Sequence, residues 1–166
     1  MDPCSPNHHP ALGDRATSNL DTAETVVVAA LRCWVAPIMH PQGHHPAWQA
    51  VFQLAGVAED ASTEFNLLMA ILAHSAQRML EVRCCHCPSL GADEIAMLEL
   101  VGSLQEGNTL GALSVLSDWL PPATIGPALL AAKRFSEAMS AAGLRVTASV
   151  GGEEAWSAVP QGARLH

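Results

Sequence analysis

The stretch that decides the fold class is residues 62–80, STEFNLLMAILAHSAQRML. Its apolar side chains recur at steps of three and four residues, at Phe65, Leu68, Met69, Leu72, Ala76 and Met79. This spacing places them on one face of an α-helix. A helix with one apolar face needs neighbours to cover that face, so we predict a helix over 62–80 that packs in a shared core.

Toward the N-terminus, two further helices are predicted. Asp21 with Glu24 three residues later is typical of a capping box, so a helix is expected to begin there. Pro37 is expected to end it, because the proline ring cannot continue the backbone hydrogen bonding. A short helix over 47–55 follows, and Gly56 suits the left-handed residue that ends a helix.

Toward the C-terminus, three more helices are predicted. Asp93 and Glu94 open the first, since acidic groups are stabilised at the positive end of a helix dipole. Asn108 caps the next helix. The corner at Pro121-Pro122 precedes the last helix, over 123–142. The pattern predicts an all-α protein, an irregular bundle of about six helices.

The chain divides into three parts by composition. Residues 1–19 are rich in Pro, Asn, Ser and His and show no apolar period, so we interpret them as a flexible arm. Residues 20–147 carry the helices and form one domain. Residues 148–166 are Gly-rich and aperiodic and are expected to be a flexible tail.

Composition and charge exclude several classes of function. The formal net charge is −8, and the eight Lys and Arg residues are scattered, which argues against nucleic acid and anionic membrane surfaces as partners. The N-terminus lacks the pattern of a signal peptide, and the longest apolar stretch, Val26 to Leu31, is too short to span a bilayer. We expect a cytoplasmic protein. Its five cysteines are an odd number and make a poor disulfide framework.

The densest group of reactive side chains is the run Cys84-Cys85-His86-Cys87. Cys84 and Cys87 have C-x-x-C spacing, which can direct two thiolates at zinc or at an iron–sulfur cluster, or close a small disulfide. A structural zinc site needs four ligands, and this pair supplies two. The alternative is that these are small residues packed at a helix corner.

Candidates for the remaining ligands lie within the run and elsewhere in the chain. They are Cys85 and His86, together with Cys33 near the end of the first helix and the loop histidines His40, His44 and His45. Pro41 and Gly43 disfavour a helix in that loop. The sequence alone leaves open whether the two segments meet.

No nucleophile-elbow, phosphate-loop or dinucleotide-binding motif occurs, so an enzyme is the least expected class. We interpret Asp93 and Glu94 as helix-start residues rather than an acid–base pair. The leading hypothesis is a small accessory or regulatory protein that binds another protein or itself, because the chain is 49% apolar and only 14% charged. The alternative is a metal-binding or thiol-redox protein centred on Cys84 and Cys87.

Overall fold

A computed structural model describes residues 15–147. This part of the chain contains six α-helices and no β-strand, which confirms the predicted all-α bundle. Residues 1–14 of the predicted arm 1–19 and the whole predicted tail 148–166 lie outside the described residues. The helices are α1 (Thr22–Met39), α2 (Trp48–Leu54), α3 (Glu59–Ser75), α4 (Ala92–Gln105), α5 (Thr109–Trp119) and α6 (Pro122–Ala141).

Several helix ends follow the predicted signals. The Asp21 carboxylate accepts a hydrogen bond from the Glu24 backbone N–H at 2.8 Å, and the Glu24 carboxylate accepts one from the Asp21 N–H at 3.0 Å. Asn108 caps α5 by accepting from the Gly111 N–H at 3.0 Å. Gly56 has φ +71°, the left-handed conformation that glycine adopts without strain. Local side-chain and backbone chemistry therefore sets these boundaries.

The prediction that Pro37 ends α1 is wrong, because the helix continues to Met39. A proline inside a helix removes its own N–H bond, but it does not remove those of the residues after it. The His40 N–H still donates to the Ala36 carbonyl oxygen at 2.9 Å. The last turn of α1 therefore stays hydrogen-bonded although it contains a proline.

The helix predicted over 62–80 begins earlier and ends earlier, at Glu59 and Ser75. Its last predicted residues are instead held by contacts with other elements. The Gln77 N–H donates to the Trp119 carbonyl oxygen at 2.8 Å, and the Arg78 guanidinium binds the Asp93 carboxylate. These tertiary bonds replace the helical ones, so the helix ends before Gln77.

The core is centred on aromatic side chains from three helices. Phe52 of α2, Phe65 of α3 and Phe135 of α6 are fully buried, with ring centroids 5.2 to 5.5 Å apart. Trp48 lies against this cluster, 5.7 Å from Phe65. The cluster joins the short helix α2 to α3 and α6, which fixes one side of the bundle.

Residues 15–19 of the predicted arm are bonded to the chain just after the cysteine run. The Thr17 N–H donates to the Pro88 carbonyl oxygen at 2.8 Å, and the Leu90 N–H donates to the Arg15 carbonyl oxygen at 2.9 Å. The Arg15 side chain also pairs with Glu24 at 2.6 Å. The backbone hydrogen bonds fix residues 88–90 against residues 15–17.

Among the described helices, α1 is the one that is long and apolar enough to cross a membrane, judged by length and composition alone. The stretch Val26 to Leu31, considered in the sequence, is only its central part. However, 56% of the α1 window is buried inside the bundle. The core helix of a folded bundle has the same profile, so this is weak evidence for a membrane span.

Candidate functional site

The cysteine run and the histidine loop lie on the same concavity, which we call the cysteine–histidine cleft. It has a volume of about 590 Å³ and lies between the C-terminal half of α1, the loop after it and residues 81–87. The structure thus brings together two segments that are far apart in sequence. The residues lining it are Arg32, Val35, Ala36, Met39, His40, His44, His45, Glu81, Val82, Arg83, Cys84, Cys85, His86 and Cys87.

The four residues 84–87 form a turn. The Cys87 N–H donates to the Cys84 carbonyl oxygen at 3.1 Å, which closes it. The Cys87 side chain is buried, whereas Cys85 and His86 are exposed. All the cysteines of the described residues carry thiols rather than disulfides. The turn therefore presents its three thiols in different environments, with Cys87 buried, Cys84 half-buried and Cys85 exposed to solvent.

A buried ion pair holds this turn against α1. The Arg32 guanidinium binds the Glu94 carboxylate at 2.6 and 2.9 Å and donates to the carbonyl oxygens of Cys87 and Ser89, each at 2.9 Å. Glu94 also accepts from the Gly91 N–H at 2.8 Å and the Arg83 N–H at 3.2 Å. These bonds tie α1, the turn and the start of α4 into one unit.

Arg32 also lies close enough to the cysteines for their charges to interact. Burial alone would lower the pKa of Arg32, but the hydrogen bond and charge of Glu94 raise it, with smaller contributions from Cys87 and Cys84. The guanidinium therefore stays protonated. A fixed positive charge beside two sulfurs favours their thiolate forms.

Cys33, one residue further along α1, is buried and does not line the cleft itself. Burial raises the pKa of the Cys33 thiol, and the interaction with Cys85 adds to this. The structure therefore brings the predicted residue Cys33 to the turn, where its neighbour is Cys85.

The loop histidines do not converge on a common point with the thiols. The His45 Nε2 lies 2.7 Å from the His40 carbonyl oxygen, which directs that ring at its own loop. Among residues 15–147, no group of three or more His, Cys, Asp or Glu side chains is close enough to hold a metal ion. The zinc or iron–sulfur site stays a prediction that the described geometry does not assemble.

A second concavity, which we call the apolar groove, was not predicted. It has a volume of about 430 Å³ and is formed by α1, the end of α3, residues 76–82, the start of α4 and the end of α5. Met79, which the periodicity placed on the core face, is 92% exposed at its edge, and Ile38 is 59% exposed. The other residues lining it are Leu31, Trp34, Val35, Met69, Leu72, Ala73, Ala76, Arg78, Leu80, Val82, Asp93, Met97 and Trp119.

One end of the apolar groove has a polar network around Asp93. The Asp93 carboxylate accepts from Arg78 at 2.7 and 2.9 Å, from the Trp119 indole N–H at 2.7 Å and from the Glu81 N–H at 2.6 Å. Burial alone would raise the pKa of Asp93, but these bonds lower it, the one from Arg78 most. Arg78 also binds Asp118.

The adjacent carboxylates of Asp93 and Glu94 serve different partners. Asp93 binds Arg78 and faces the apolar groove, whereas Glu94 binds Arg32 below the cysteine turn. Successive helix residues point about 100° apart. The two carboxylates therefore stabilise two neighbouring sites at the start of α4, as well as the helix start itself.

No protein-family model, curated protein or solved structure matches this chain.

Proposed function

We propose that this chain is a small accessory or regulatory protein that works in the cytoplasm by binding another protein in the apolar groove. The observation that carries the proposal is the exposure of Met79 and Ile38 at the edge of a concave apolar surface. Single exposed apolar residues are ordinary, but a contiguous apolar concavity is typical of a binding site.

The partner best suited to this groove is an amphipathic helix with basic residues beside its apolar face. A volume of about 430 Å³ accommodates a few apolar side chains, which a helix presents at steps of three and four residues. The protein carries a net charge of −8, and the exposed side chains of Asp118 and Glu81 lie near the groove. Lys or Arg on the partner would complement them.

Selection from a displayed library of helical peptides tests this chemistry. We expect the enriched peptides to share apolar residues at helical spacing and adjacent Lys or Arg. Binding should be lost in Met79→Glu, which puts a charge at the groove edge. The matched control is Leu54→Glu, because Leu54 is 90% exposed on α2 and does not line the groove. Equal binding by both variants would disprove the proposal.

A second copy of the chain is the competing occupant of the groove. Size-exclusion chromatography with light scattering distinguishes the two cases. If the chain self-associates and Met79→Glu abolishes this while Leu54→Glu does not, the partner in the groove is the protein itself. A monomer that selects the expected peptides supports a different protein as partner.

A second candidate function is thiol chemistry in the cysteine–histidine cleft. The observation that favours it is the position of Arg32, whose buried guanidinium donates to the Cys87 carbonyl oxygen at 2.9 Å and lines the cleft together with Cys84. A nearby cation stabilises thiolates but repels a metal ion. This favours thiol-redox chemistry over the metal site that the spacing first indicated.

Protein purified without oxygen provides the test of this candidate. Elemental analysis and absorption spectra separate zinc, iron–sulfur and metal-free protein. We expect metal-free protein whose thiols react with a disulfide reagent faster than a denatured control, and slower reaction after Arg32→Gln. Bound metal at one ion per chain, lost in Cys84→Ser or Cys87→Ser, would establish the metal-binding alternative instead.

A further inference from the structure

The cysteine–histidine cleft differs in charge from the rest of the molecule. The chain has 16 Asp and Glu residues against 8 Lys and Arg, and its formal net charge is −8. Among the described residues that line the cleft, the only carboxylate is that of Glu81. The basic side chains of the lining are two arginines and four of the eight histidines of the chain, Arg32, Arg83, His40, His44, His45 and His86.

The two carboxylates at this site are both bound to arginine. Glu94, buried below the cysteine turn, pairs with Arg32 at 2.6 Å, and Glu81 pairs with Arg83 at 3.2 Å. The histidines add ring N–H donors to these pairs without adding acidic groups. The cleft is therefore a donor-rich surface in an acidic protein, and such a surface suits a ligand that carries carboxylates.

Three of the four histidines are accessible to a ligand. The His45 ring is directed at the His40 carbonyl oxygen, but the side chains of His40, His44 and His86 are exposed. They come from the loop after α1 and from the cysteine turn, so they border the cleft from two segments. A ligand in the cleft would meet donors from both.

The same surface carries two thiols of one turn. Cys84 and Cys87 both line the cleft, and the Cys87 N–H donates to the Cys84 carbonyl oxygen at 3.1 Å. Cys84 is half-buried and Cys87 is buried, so a molecule in the cleft reaches Cys84 first. The volume of about 590 Å³ is in the range of small-molecule sites.

We propose that the cysteine–histidine cleft binds a small disulfide that carries carboxylates, of the oxidised-glutathione type, and oxidises Cys84 and Cys87 with it. The sulfur–sulfur bond is the part of the ligand that the thiols require, and the carboxylates are the part that the surrounding donors require. The inference rests on the thiol-redox candidate above and names its substrate class.

The reaction balances with the ligand as the oxidant. The Cys84 thiol loses its proton, and its sulfur attacks one sulfur of the ligand, so that a mixed disulfide forms and the ligand's own disulfide bond breaks. The other half leaves as a thiolate and takes up the proton. Cys87 then attacks the Cys84 sulfur in the same way, so the two protein thiols lose two electrons and the ligand becomes two thiols.

Three disulfides of different charge test the substrate class. Reduced protein at neutral pH is mixed with oxidised glutathione, with uncharged hydroxyethyl disulfide or with cationic cystamine, then alkylated and digested with trypsin without reduction. Trypsin cleaves after Arg83 and Lys133, so peptide 84–133 contains the thiols of the turn and is separate from Cys4 and Cys33. Mass spectrometry follows the loss of free thiol on this peptide.

The measured quantity is the ratio of the rate with oxidised glutathione to the rate with cystamine. We expect this ratio to be about tenfold higher in folded protein than in urea-unfolded protein, because a cleft lined by donors and positive charge raises the local concentration of anions. Unfolding is the reference because it keeps the reagents and the sequence and removes the cleft. Added salt should lower the ratio of the folded protein by screening.

A charge placed on the cleft wall identifies the surface responsible. His44→Glu should lower the ratio toward the unfolded value and leave the rate with hydroxyethyl disulfide unchanged. His74→Glu is the matched control, because His74 is exposed on α3 and does not line the cleft, while its substitution changes the net charge equally. A ratio that falls equally in both variants would overturn the assignment to the cleft.

Two serine variants identify the sulfurs. Cys85→Ser should still form a disulfide within peptide 84–133. Cys87→Ser should instead keep a glutathione adduct, since the second thiol is missing. Oxidation of Cys87→Ser without an adduct would overturn the role of Cys87.

The outcomes separate this inference from the candidate on which it rests. If the turn thiols react with all three disulfides and the ratio is the same in folded and unfolded protein, the substrate class is wrong and the thiol-redox candidate stands. If no disulfide reagent oxidises peptide 84–133 in folded protein, both proposals are wrong.

Discussion

The side chains of Arg32 and Glu94 form a buried ion pair under the cysteine turn. Each charge has several further hydrogen bonds, which compensate for the loss of water around it. The sequence identified Glu94 only as a helix-start residue and did not indicate its pairing with Arg32, because an arginine and a glutamate 62 positions apart carry no recognisable spacing. Only the fold shows that they are partners.

Glu94→Gln is expected to lower the free energy of unfolding by about 3 to 5 kcal/mol, the typical cost of leaving one charge of a buried pair uncompensated. Urea denaturation measures this. The control is Arg134→Gln, because Arg134 pairs with Glu64 at 3.3 Å at the surface, and such pairs contribute less than about 1 kcal/mol. Equal effects of the two substitutions would show that the Arg32–Glu94 pair is not important for stability.

From the environment of the Asp93 carboxylate, we expect a specific dependence of the protein's stability on pH. Its pKa is lowered from the usual 3.8, chiefly by Arg78 despite the opposing effect of burial. A carboxyl group whose pKa is lower in the folded than in the unfolded state stabilises the fold at pH values above its unfolded-state pKa. This stabilisation is lost as the pH falls through the folded-state pKa. Asp93→Asn should therefore lower the Tm at neutral pH and flatten its fall below about pH 4.

Thermal unfolding followed by circular dichroism across the acid range measures this effect. Asp60→Asn is the matched control, since Asp60 is exposed in the first turn of α3. It should follow the wild-type profile. A Tm profile of Asp93→Asn that runs parallel to the wild type at all pH values would contradict the prediction.

At the scale of the element, α1 and α3 differ in how they begin. Asp21 caps α1 with a side-chain hydrogen bond, whereas Ala58 at the same position of α3 has none. We expect Asp21→Ala to destabilise the protein by about 1 kcal/mol and Ala58→Asp to stabilise it by a similar amount. Urea denaturation of both variants checks the opposite signs, and a loss in Ala58→Asp would show that α3 starts differently.

Helix boundaries set by capping side chains and by Gly56 were predicted correctly, whereas Pro37 was wrong as an end signal. Asp21, Asn108 and Gly56 act on neighbours within a few residues, so the sequence contains the whole interaction. The end of α3 was misjudged because the apolar period continues to Met79. Met79 continues the apolar spacing of α3, but its side chain borders the apolar groove rather than the core.

At the scale of the whole molecule, the aromatic cluster connects α2, α3 and α6. Phe135→Ala would remove a fully buried ring that contacts both Phe52 and Phe65. We expect a loss of about 3 to 5 kcal/mol in the free energy of unfolding, from lost burial and from the cavity left behind. Leu130→Ala on the same helix is the control, because Leu130 is half exposed and should cost much less.

The candidate site could be predicted only in part. The sequence identified the run at 84–87 and the loop at 40–45, and the structure places both on one cleft. It could not identify the hydrogen bonds from Arg32 to the Cys87 and Ser89 carbonyl oxygens, since these depend on how α1 crosses the turn. The apolar groove was missed for the same reason, because its walls come from five segments, α1, α3, residues 76–82, α4 and the end of α5.

The Trp119 indole, which donates a hydrogen bond to the Asp93 carboxylate, can serve as an intrinsic fluorescence probe. The sequence has four tryptophans and no tyrosine, so its ultraviolet fluorescence comes from indoles alone. Trp119 and Trp34 both line the apolar groove. A ligand entering the groove should therefore change the emission spectrum, and titrations can be followed without any attached dye.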